Sequence, residues 1–312
     1  MITLQESSTI CQDEMEKGII EVVLKEIPLF RLMPIDDVEG NAYAYNREDP
    51  ANMGNVGFVD PDEDLTESTA KFLPEVAPLK VLIGQADVPG LIQAARSKVN
   101  DQMAAQVAIK TKLFGHKFED QAVYGKQATS KGFDGLHQWI TTSPATQLLT
   151  TAVSATPAAL SMKMVDQALY YCKAGKADAI ILSPLLLIQI TSYLRPLGSQ
   201  QTKRDQYGNL WTTWGEDVPF VTCDAMLHTE LCDSNGQYTA GAGASTSLFV
   251  VHFGENGMKG IQNGGITTKL FPDLQNKDAS RTRIKWYVGT ALMNTIAITR
   301  LCNIDPALAV TA

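Results

Sequence analysis

The chain has 312 residues, 45% of them hydrophobic and 19% charged, a composition typical of a folded protein and not of a disordered one. A formal net charge of −8 argues against a dedicated nucleic-acid-binding protein, which would carry a basic surface. The five cysteines are scattered and odd in number, which fits a reducing compartment better than a disulfide scaffold. No secretory signal precedes residue 30, and apolar runs such as residues 185–188 are far too short to span a bilayer. We therefore expect a soluble, cytoplasmic protein without a membrane partner.

The first 87 residues predict an N-terminal arm followed by a projecting loop. A helix is expected from about Ser8 to Lys25, before Pro28. Residues 41–48 alternate in polarity like a strand, and residues 79–84 read as a second strand. About thirty mostly polar residues separate them, which is a long connection for a compact domain and is often functional. The simplest interpretation is a long two-stranded arm.

A long amphipathic helix is predicted from Pro89 to about Phe118, because good helix formers continue throughout and apolar residues recur at helical spacing. The apolar stripe consists of Ile92, Ala95, Val99, Met103, Val107 and Phe114. We expect Val99 and Met103 to face the body of the protein. About thirty helical residues would span about 45 Å, more than a compact domain needs for itself.

Residues 145–305 predict a mixed α/β body. A helix is expected over residues 158–173, and a buried strand over residues 178–183. Further strands are predicted at residues 218–223, 247–253 and 281–288. In the last strand Ile284, Trp286 and Val288 alternate with polar residues, so one side should face a core and the other water.

Two groups of residues have a spacing similar to that of metal ligands. Cys223, His228 and Cys232 have plausible ligand spacing, but no CxxC pair supplies the two close pairs that structural zinc prefers. Asp60, Asp62 and Asp64 begin like a calcium loop, yet leucine and lysine occupy the positions that require glycine and glutamate. We predict no metal site and no cofactor, with a loosely held divalent cation at the acidic loop left open.

A catalytic site is not predicted. The chain has four histidines, none of them in a recognisable nucleophile motif, and GxSxG is absent. Two glycine-rich stretches match neither dinucleotide-binding nor phosphate-binding motifs. A chain of this size with a projecting arm and a long helix instead favours assembly, and we expect it not to be an enzyme.

The order of these features resembles a tailed-phage major capsid protein of the Hong Kong 97-type fold, over nearly the whole chain. The resemblance rests on the extended loop from Gly40 onward, the long helix, Phe133-Asp-Gly-Leu136, the strand ending at Asp224 and the strand that begins at Arg283. It implies an α+β fold divided into five regions. These are an N-terminal arm (1–38), an extended β-hairpin loop (39–87), a peripheral domain with the long spine helix (88–144), a mixed α/β axial domain (145–270) and a return strand with C-terminal tail (271–312).

The resemblance also implies a function. The chain would self-assemble into hexamers and pentamers of an icosahedral virion shell that encloses double-stranded DNA, contacted non-specifically, and would assemble in the host cytoplasm. A separate scaffolding protein and a portal are expected partners, and a decoration protein is left open. Some members join neighbours covalently through a lysine on the extended loop. Residues 46–70 contain no lysine, so that bond is not expected here.

Charged residues are candidates for contacts between subunits, because the family architecture lays the extended loop over the spine region of a neighbour. The acidic candidates on the loop are Asp60, Asp62, Glu63, Asp64 and Glu67. The basic candidates on the helix are Arg96, Lys98, Lys110 and Lys112. Each exposed pair contributes only about 0–1 kcal/mol, so the effect would come from repetition around a shell. The alternative is a solvated acidic loop that touches nothing charged.

Two other functions stay open at this point. An encapsulin-type nanocompartment shares the fold but packages protein cargo in place of DNA. A cytoplasmic α/β enzyme with an unrecognised site is the third possibility.

Overall fold

The computed structural model describes residues 28–48, 58, 69, 71–91, 102–151, 156–198, 201–204, 210–215, 217–232, 238–240, 243–272 and 274–311. The helix predicted over residues 8–25 lies outside these ranges. Among the described residues, no helix is long and apolar enough to cross a membrane.

The first half of the chain supplies the following helices and strands: α1 (Pro28–Leu32), β1 (Ile35–Asp37), β2 (Ala42–Glu48), β3 (Phe72–Pro78), β4 (Lys80–Pro89), α2 (Gln102–Tyr124), α3 (Leu136–Thr141) and β5 (Leu148–Thr150).

The second half supplies the remaining ones: α4 (Met162–Tyr171), β6 (Ala179–Leu182), α5 (Pro184–Leu197), β7 (Gln201–Arg204), β8 (Leu210–Trp214), β9 (Val218–Thr222), β10 (Glu230–Cys232), β11 (Tyr238–Ala240), β12 (Thr246–Val251), β13 (Met258–Gln262), β14 (Thr267–Phe271), β15 (Ala279–Leu292) and β16 (Ile298–Ile304).

A five-stranded sheet is organised around the long strand β15. Strand β4 pairs antiparallel with β15 over ten consecutive residues, from Lys80 opposite Val288 to Pro89 opposite Ala279. Strands β13 and β14 pair with the two halves of the opposite edge of β15, and β1 extends the sheet beyond β13. Ile284, Trp286 and Val288 are each about 1% exposed, which confirms the predicted alternation of this strand.

The long helix α2 packs on this sheet through its apolar stripe. Met103, Val107 and Phe114 are buried, as the sequence predicts, and the Thr282 hydroxyl of β15 donates a hydrogen bond to the Met103 sulfur at 3.3 Å. Phe114 and Phe118 contact the Trp286 ring, with centroids 6.3 and 5.0 Å apart. The predicted stripe residues 92, 95 and 99 lie outside the described part of the chain.

The helix ends at Tyr124, beyond the predicted end at about Phe118. Residues 119–124 are still compatible with a helix, and the actual stop is Gly125. A Cβ atom there would lie 2.3 Å from the carbonyl oxygens of both Gln121 and Phe133, so no larger residue fits. The chain can turn back at this point only because the position is glycine.

The phrase Phe133-Asp-Gly-Leu136 closes the loop after α2 and starts α3. Phe133 and Leu136 are buried, while Asp134 accepts a hydrogen bond from the Gln127 amide at 2.7 Å. The Gly135 amide donates to the Gly125 carbonyl at 2.9 Å. Residues 133–136 therefore pack the C-terminal end of α2 against the body.

A seven-stranded sheet forms the body, with strand order β5-β16-β12-β6-β9-β8-β7. Strands β6, β12 and β16 are buried along their whole length, because both faces of the sheet are covered. Helices α4 and α5 pack on one face through residues such as Val165, Ala168 and Ile190. The predicted helix over residues 158–173 is observed, in the shorter range Met162–Tyr171.

The other face of the body sheet shares one continuous core with the long helix. Ile181, Phe249 and Val251 of the body belong to the same buried cluster as Phe118 and Trp286. The two sheets are consequently held together by apolar packing. The predicted α+β class is confirmed.

We expect the substitution Met103→Ala to lower the free energy of unfolding by about 2–5 kcal/mol, because it leaves a cavity between α2 and β15. Ile109→Ala is the matched control on the same helix, since Ile109 is 52% exposed and should change stability by less than about 1 kcal/mol. Urea unfolding of the two purified variants measures both values. Equal effects of the two substitutions would show that the wrong face of the helix is assigned to the core.

Candidate assembly surfaces

The projecting loop is a two-stranded hairpin, but its return strand differs from the predicted one. Strand β2 pairs antiparallel with β3, from Ala42 opposite Pro78 to Glu48 opposite Phe72. The predicted return strand was residues 79–84, but residues 80–84 belong instead to β4 of the five-stranded sheet. The error has a physical cause, because Pro74 and Pro78 argue against a central strand but are tolerated where a strand has an open edge.

One face of the hairpin is anchored to the body at its base. The Tyr45 hydroxyl donates a hydrogen bond to the Leu292 carbonyl at 2.9 Å, and burial raises the Tyr45 pKa to about 12. Lys259 lies over the Tyr43 ring and forms an ion pair with Asp36 at 2.8 Å. Ala77, opposite Tyr43, is 1% exposed. These contacts hold the base of the hairpin in one orientation relative to the body.

The opposite face of the hairpin, which we call the hairpin face, exposes the apolar side chains of Phe72 and Val76. Phe72 and Val76 are four residues apart on β3 and so point to the same side. They are 62% and 61% exposed. A two-stranded hairpin is marginally stable on its own, and exposed apolar patches mark contact sites. The hairpin face is therefore a candidate contact surface.

The outer side of α2, which we call the helix face, combines apolar and basic residues. Ile109 and Leu113, one helical turn apart, are both more than half exposed. Lys112 and Lys117 are exposed beside them, and Lys110 is half-buried. The helix face therefore offers apolar contact together with positive charge.

The structure places two of the nine predicted contact residues. Lys110 and Lys112 lie on the described part of α2. The other seven, Asp60, Asp62, Glu63, Asp64, Glu67, Arg96 and Lys98, lie outside the described residues. The contacts predicted between these two sets thus stay a prediction.

A buried polar cluster joins the end of α2 to the body. Glu230 of β10 and Arg300 of β16 are 1% and 0% exposed, and their side chains approach to 3.5 Å. The Tyr124 hydroxyl, at the end of α2, donates to Glu230 Oε1 at 2.5 Å. Ser247 of β12 donates to Glu230 Oε2 and accepts from Arg300 Nε at 3.1 Å. His137 of α3 completes the cluster, with Nε2 at 3.3 Å from Glu230 Oε1.

The electrostatics of the cluster favour an ionised Glu230 beside a neutral His137. Burial lowers the pKa of His137 to about 4, and the Arg300 charge acts in the same direction. Burial alone would raise the pKa of Glu230, but the His137 hydrogen bond and the Arg300 charge more than offset it and lower that pKa. Removing one partner of such a buried set lowers the stability of the fold, because it leaves the other charge buried without compensation. The cluster therefore holds α2 and α3 to the body.

This cluster is not among the predicted sites, although the position of Arg300 indicates that a buried charged partner exists. It is the one charged residue in the strand Ile298–Ile304, which is otherwise mostly apolar. A charge inside a buried strand requires a buried partner. The partner is 70 residues away in sequence, and sequence pattern alone does not identify it.

Cys223, His228 and Cys232 do not form a metal site in the described part of the chain. Cys223 lies next to the Glu119 carboxyl group, Cys232 lies next to Cys302, and His228 is exposed. Among the described residues, no group of three or more His, Cys, Asp or Glu side chains could hold a metal. The aspartates at 60, 62 and 64 lie outside those residues.

The sequence matches no protein-family model and no curated protein. Solved structures, in contrast, match nearly the whole chain. The SrpI encapsulin complex from Synechococcus elongatus is 16% identical over 91% of this chain and 89% of that one, with a TM-score of 0.68. The capsid of a native GTA particle is 14% identical over 88% and 89%, with a TM-score of 0.60. A structure from Mycobacterium phage Adephagia is 13% identical over 88% of each chain, with a TM-score of 0.58. The fold is therefore of the Hong Kong 97 type.

We expect the free energy of unfolding to fall as pH decreases from about 6.5 to about 4. In this window the unfolded chain binds a proton at His137 that the folded chain does not, since the pKa of His137 falls from 6.5 to about 4 on folding. The loss is on the order of 3 kcal/mol, and the contribution of this residue levels off below pH 4.

Urea unfolding at several pH values measures this effect. His137→Gln keeps a hydrogen-bond donor but cannot be protonated, so its stability should depend less on pH than that of the wild type. His228→Gln is the matched control, because His228 is exposed, and it should retain the wild-type profile. Equal slopes for both variants would refute the role of His137.

Proposed function

We propose that this chain is the subunit of an icosahedral shell, assembled from pentamers and hexamers, and that the shell is a phage capsid enclosing double-stranded DNA. The observation that carries the proposal is the hairpin face. Its Phe72 and Val76 are more than half exposed in the described part of the chain, while the base of the hairpin is firmly anchored. Similarity to capsid and encapsulin shells over about nine-tenths of the chain supports the same conclusion.

The proposed domains are the regions inferred from the sequence. We assign residues 145–270 to an axial domain around the capsomer axis, and residues 88–144 with 271–312 to a peripheral domain. Both sheets cross this division, since β13 and β14, residues 258–262 and 267–271, pair with β15, and β16 pairs with β12, and these pairings would tie the two domains together. Scaffolding and portal proteins would be separate partners. DNA would be contacted without sequence preference, in keeping with the net charge of −8.

The hairpin is proposed to act as a clasp on a second copy of the chain. The hairpin face would cover Ile109 and Leu113 of a neighbouring helix face, because both surfaces are exposed and apolar. The acidic loop beyond Glu48 would then lie near Lys110 and Lys112, and its negative charge would complement theirs. Burial of apolar area would supply most of the free energy, and the charges would fix the register.

An encapsulin-type shell is the second candidate. The TM-score of 0.68 to the SrpI encapsulin complex favours it, since that value is higher than those of the phage and GTA structures compared above. The two candidates predict the same subunit contacts and differ only in what the shell contains.

Sedimentation and negative-stain electron microscopy of the purified protein test the proposal. We expect closed particles of megadalton mass, or rings of five or six subunits, because each 33.9 kDa chain carries an uncovered hairpin face. Nuclease-resistant DNA inside the particles would identify a capsid, and a co-purifying enzyme would identify an encapsulin. A stable monomer under all assembly conditions would refute the shell.

The triple substitution of Asp62, Glu63 and Asp64 by lysine should block assembly and leave the subunit folded, because it reverses the charge that meets the helix face. The neutral variant Asp62→Asn, Glu63→Gln, Asp64→Asn is the matched control and should assemble more slowly or at lower yield. Circular dichroism checks folding, and sedimentation measures the particle fraction. Normal particles from the lysine variant would remove the acidic loop from the assembly mechanism.

A further inference from the structure

Two cysteine side chains that are distant in sequence meet inside the body. Cys232 ends β10, and Cys302 lies within β16, 70 residues further along the chain. Their sulfur atoms are 2.7 Å apart, and both residues are buried, at 8% and 1% exposure. Neither sulfur is in a disulfide bond.

The meeting follows from strand geometry. Glu230 and Cys232 are two residues apart on β10, and Arg300 and Cys302 are two residues apart on β16, so each pair points to one side of its strand. The contact that places Glu230 on Arg300 therefore also places Cys232 on Cys302. Because the buried polar cluster fixes the first contact, it fixes the second as well.

The other described cysteines have different neighbours. Cys172 donates a hydrogen bond to the Ala297 carbonyl at 3.4 Å, and burial raises its pKa to about 12. Burial, together with the adjacent Glu119 carboxyl group, also raises the pKa of Cys223. A disulfide requires a second sulfur within bonding reach, and among the described residues only Cys232 and Cys302 provide one.

We propose that Cys232 and Cys302 form an oxidisable thiol pair, which hydrogen peroxide converts into an intramolecular disulfide that ties β10 to β16. The modification goes beyond shell formation and does not depend on it. It would connect the hairpin formed by β10 and β11 covalently to the central part of the body sheet.

The chemistry balances with one molecule of hydrogen peroxide. The thiolate of one cysteine attacks the peroxide O–O bond, which gives a sulfenic acid and a hydroxide that takes up the released proton as water. The second sulfur attacks the sulfenic sulfur, forms the S–S bond and expels a second water. The two sulfurs lose two electrons and two protons in total, and the peroxide is reduced to two water molecules.

The surroundings predict that the reaction is slow at neutral pH. The hydrogen bond with Cys232 and burial raise the pKa of Cys302, so its nucleophilic thiolate is scarce. The adjacent sulfur favours the second step, because the two reactants are already in contact. Oxidation should therefore accelerate as pH rises and should stop at the disulfide.

Intact-mass measurement and peptide mapping of the native protein, after treatment with hydrogen peroxide, test the proposal. We expect a mass lower by two hydrogen atoms, a linked peptide that contains Cys232 and Cys302, and reversal by a thiol reductant. Because the disulfide closes a loop of 70 residues, the oxidised protein should also melt at a higher temperature than the reduced protein.

Matched variants separate this pair from the other cysteines. Cys232→Ser and Cys302→Ser should each abolish the linked peptide and the shift in melting temperature, whereas Cys172→Ser should leave both unchanged. The wild-type mass and peptide map decide the outcome even if a variant fails to fold. An unchanged mass, a link between other cysteines or a link between two chains would overturn the proposal.

Discussion

The ten-residue pairing of β4 with β15 is the constraint on which the rest of the structure depends. It joins residues 80–89 to residues 279–288, and thus brings together parts of the chain about two hundred positions apart. Strand β4 continues directly from the hairpin, with only Leu79 between β3 and β4, so this pairing also sets where the hairpin begins. A shift by one residue would turn Trp286 from the core to solvent and remove the aromatic floor on which α2 lies. The hairpin and the long helix are consequently positioned by the same register.

The interior of the subunit is well packed, whereas parts of its surface expose apolar side chains to water. Inside, a shared apolar core and the Glu230–Arg300 cluster hold the helix to the body sheet. Outside, Phe72 and Val76 of the hairpin and Ile109 and Leu113 of α2 are left in water. An exposed apolar face on an anchored hairpin is typical of a contact surface. In the proposed assembly, another copy of the chain would cover this face.

The parts of the fold that could be predicted from the sequence are those with one buried face. The stripe through Met103, Val107 and Phe114 and the alternation through Trp286 each repeat at the period of their element, so pattern alone identifies them. Strand β3 could not be recognised, because Pro74 and Pro78 and a run of exposed residues hide its pattern. The end of α2 depends on the close approach of Phe133 to Gly125, which is a tertiary contact.

The candidate surfaces were predictable only in part. The charges of the loop and the helix could be read from the sequence, whereas the apolar residues that dominate the exposed faces look like ordinary core residues until burial is known. The Glu230–Arg300 and Cys232–Cys302 contacts depend on how two distant strands are placed in space, which local pattern does not encode.

Electron cryomicroscopy of purified particles tests the central claim most directly, because it locates the hairpin of each subunit relative to its neighbours. We expect Phe72 and Val76 to lie within van der Waals contact, about 4 Å, of a neighbouring subunit in every capsomer. A shell in which the hairpins stand free in solvent, with both side chains as exposed as in the single chain, would contradict it.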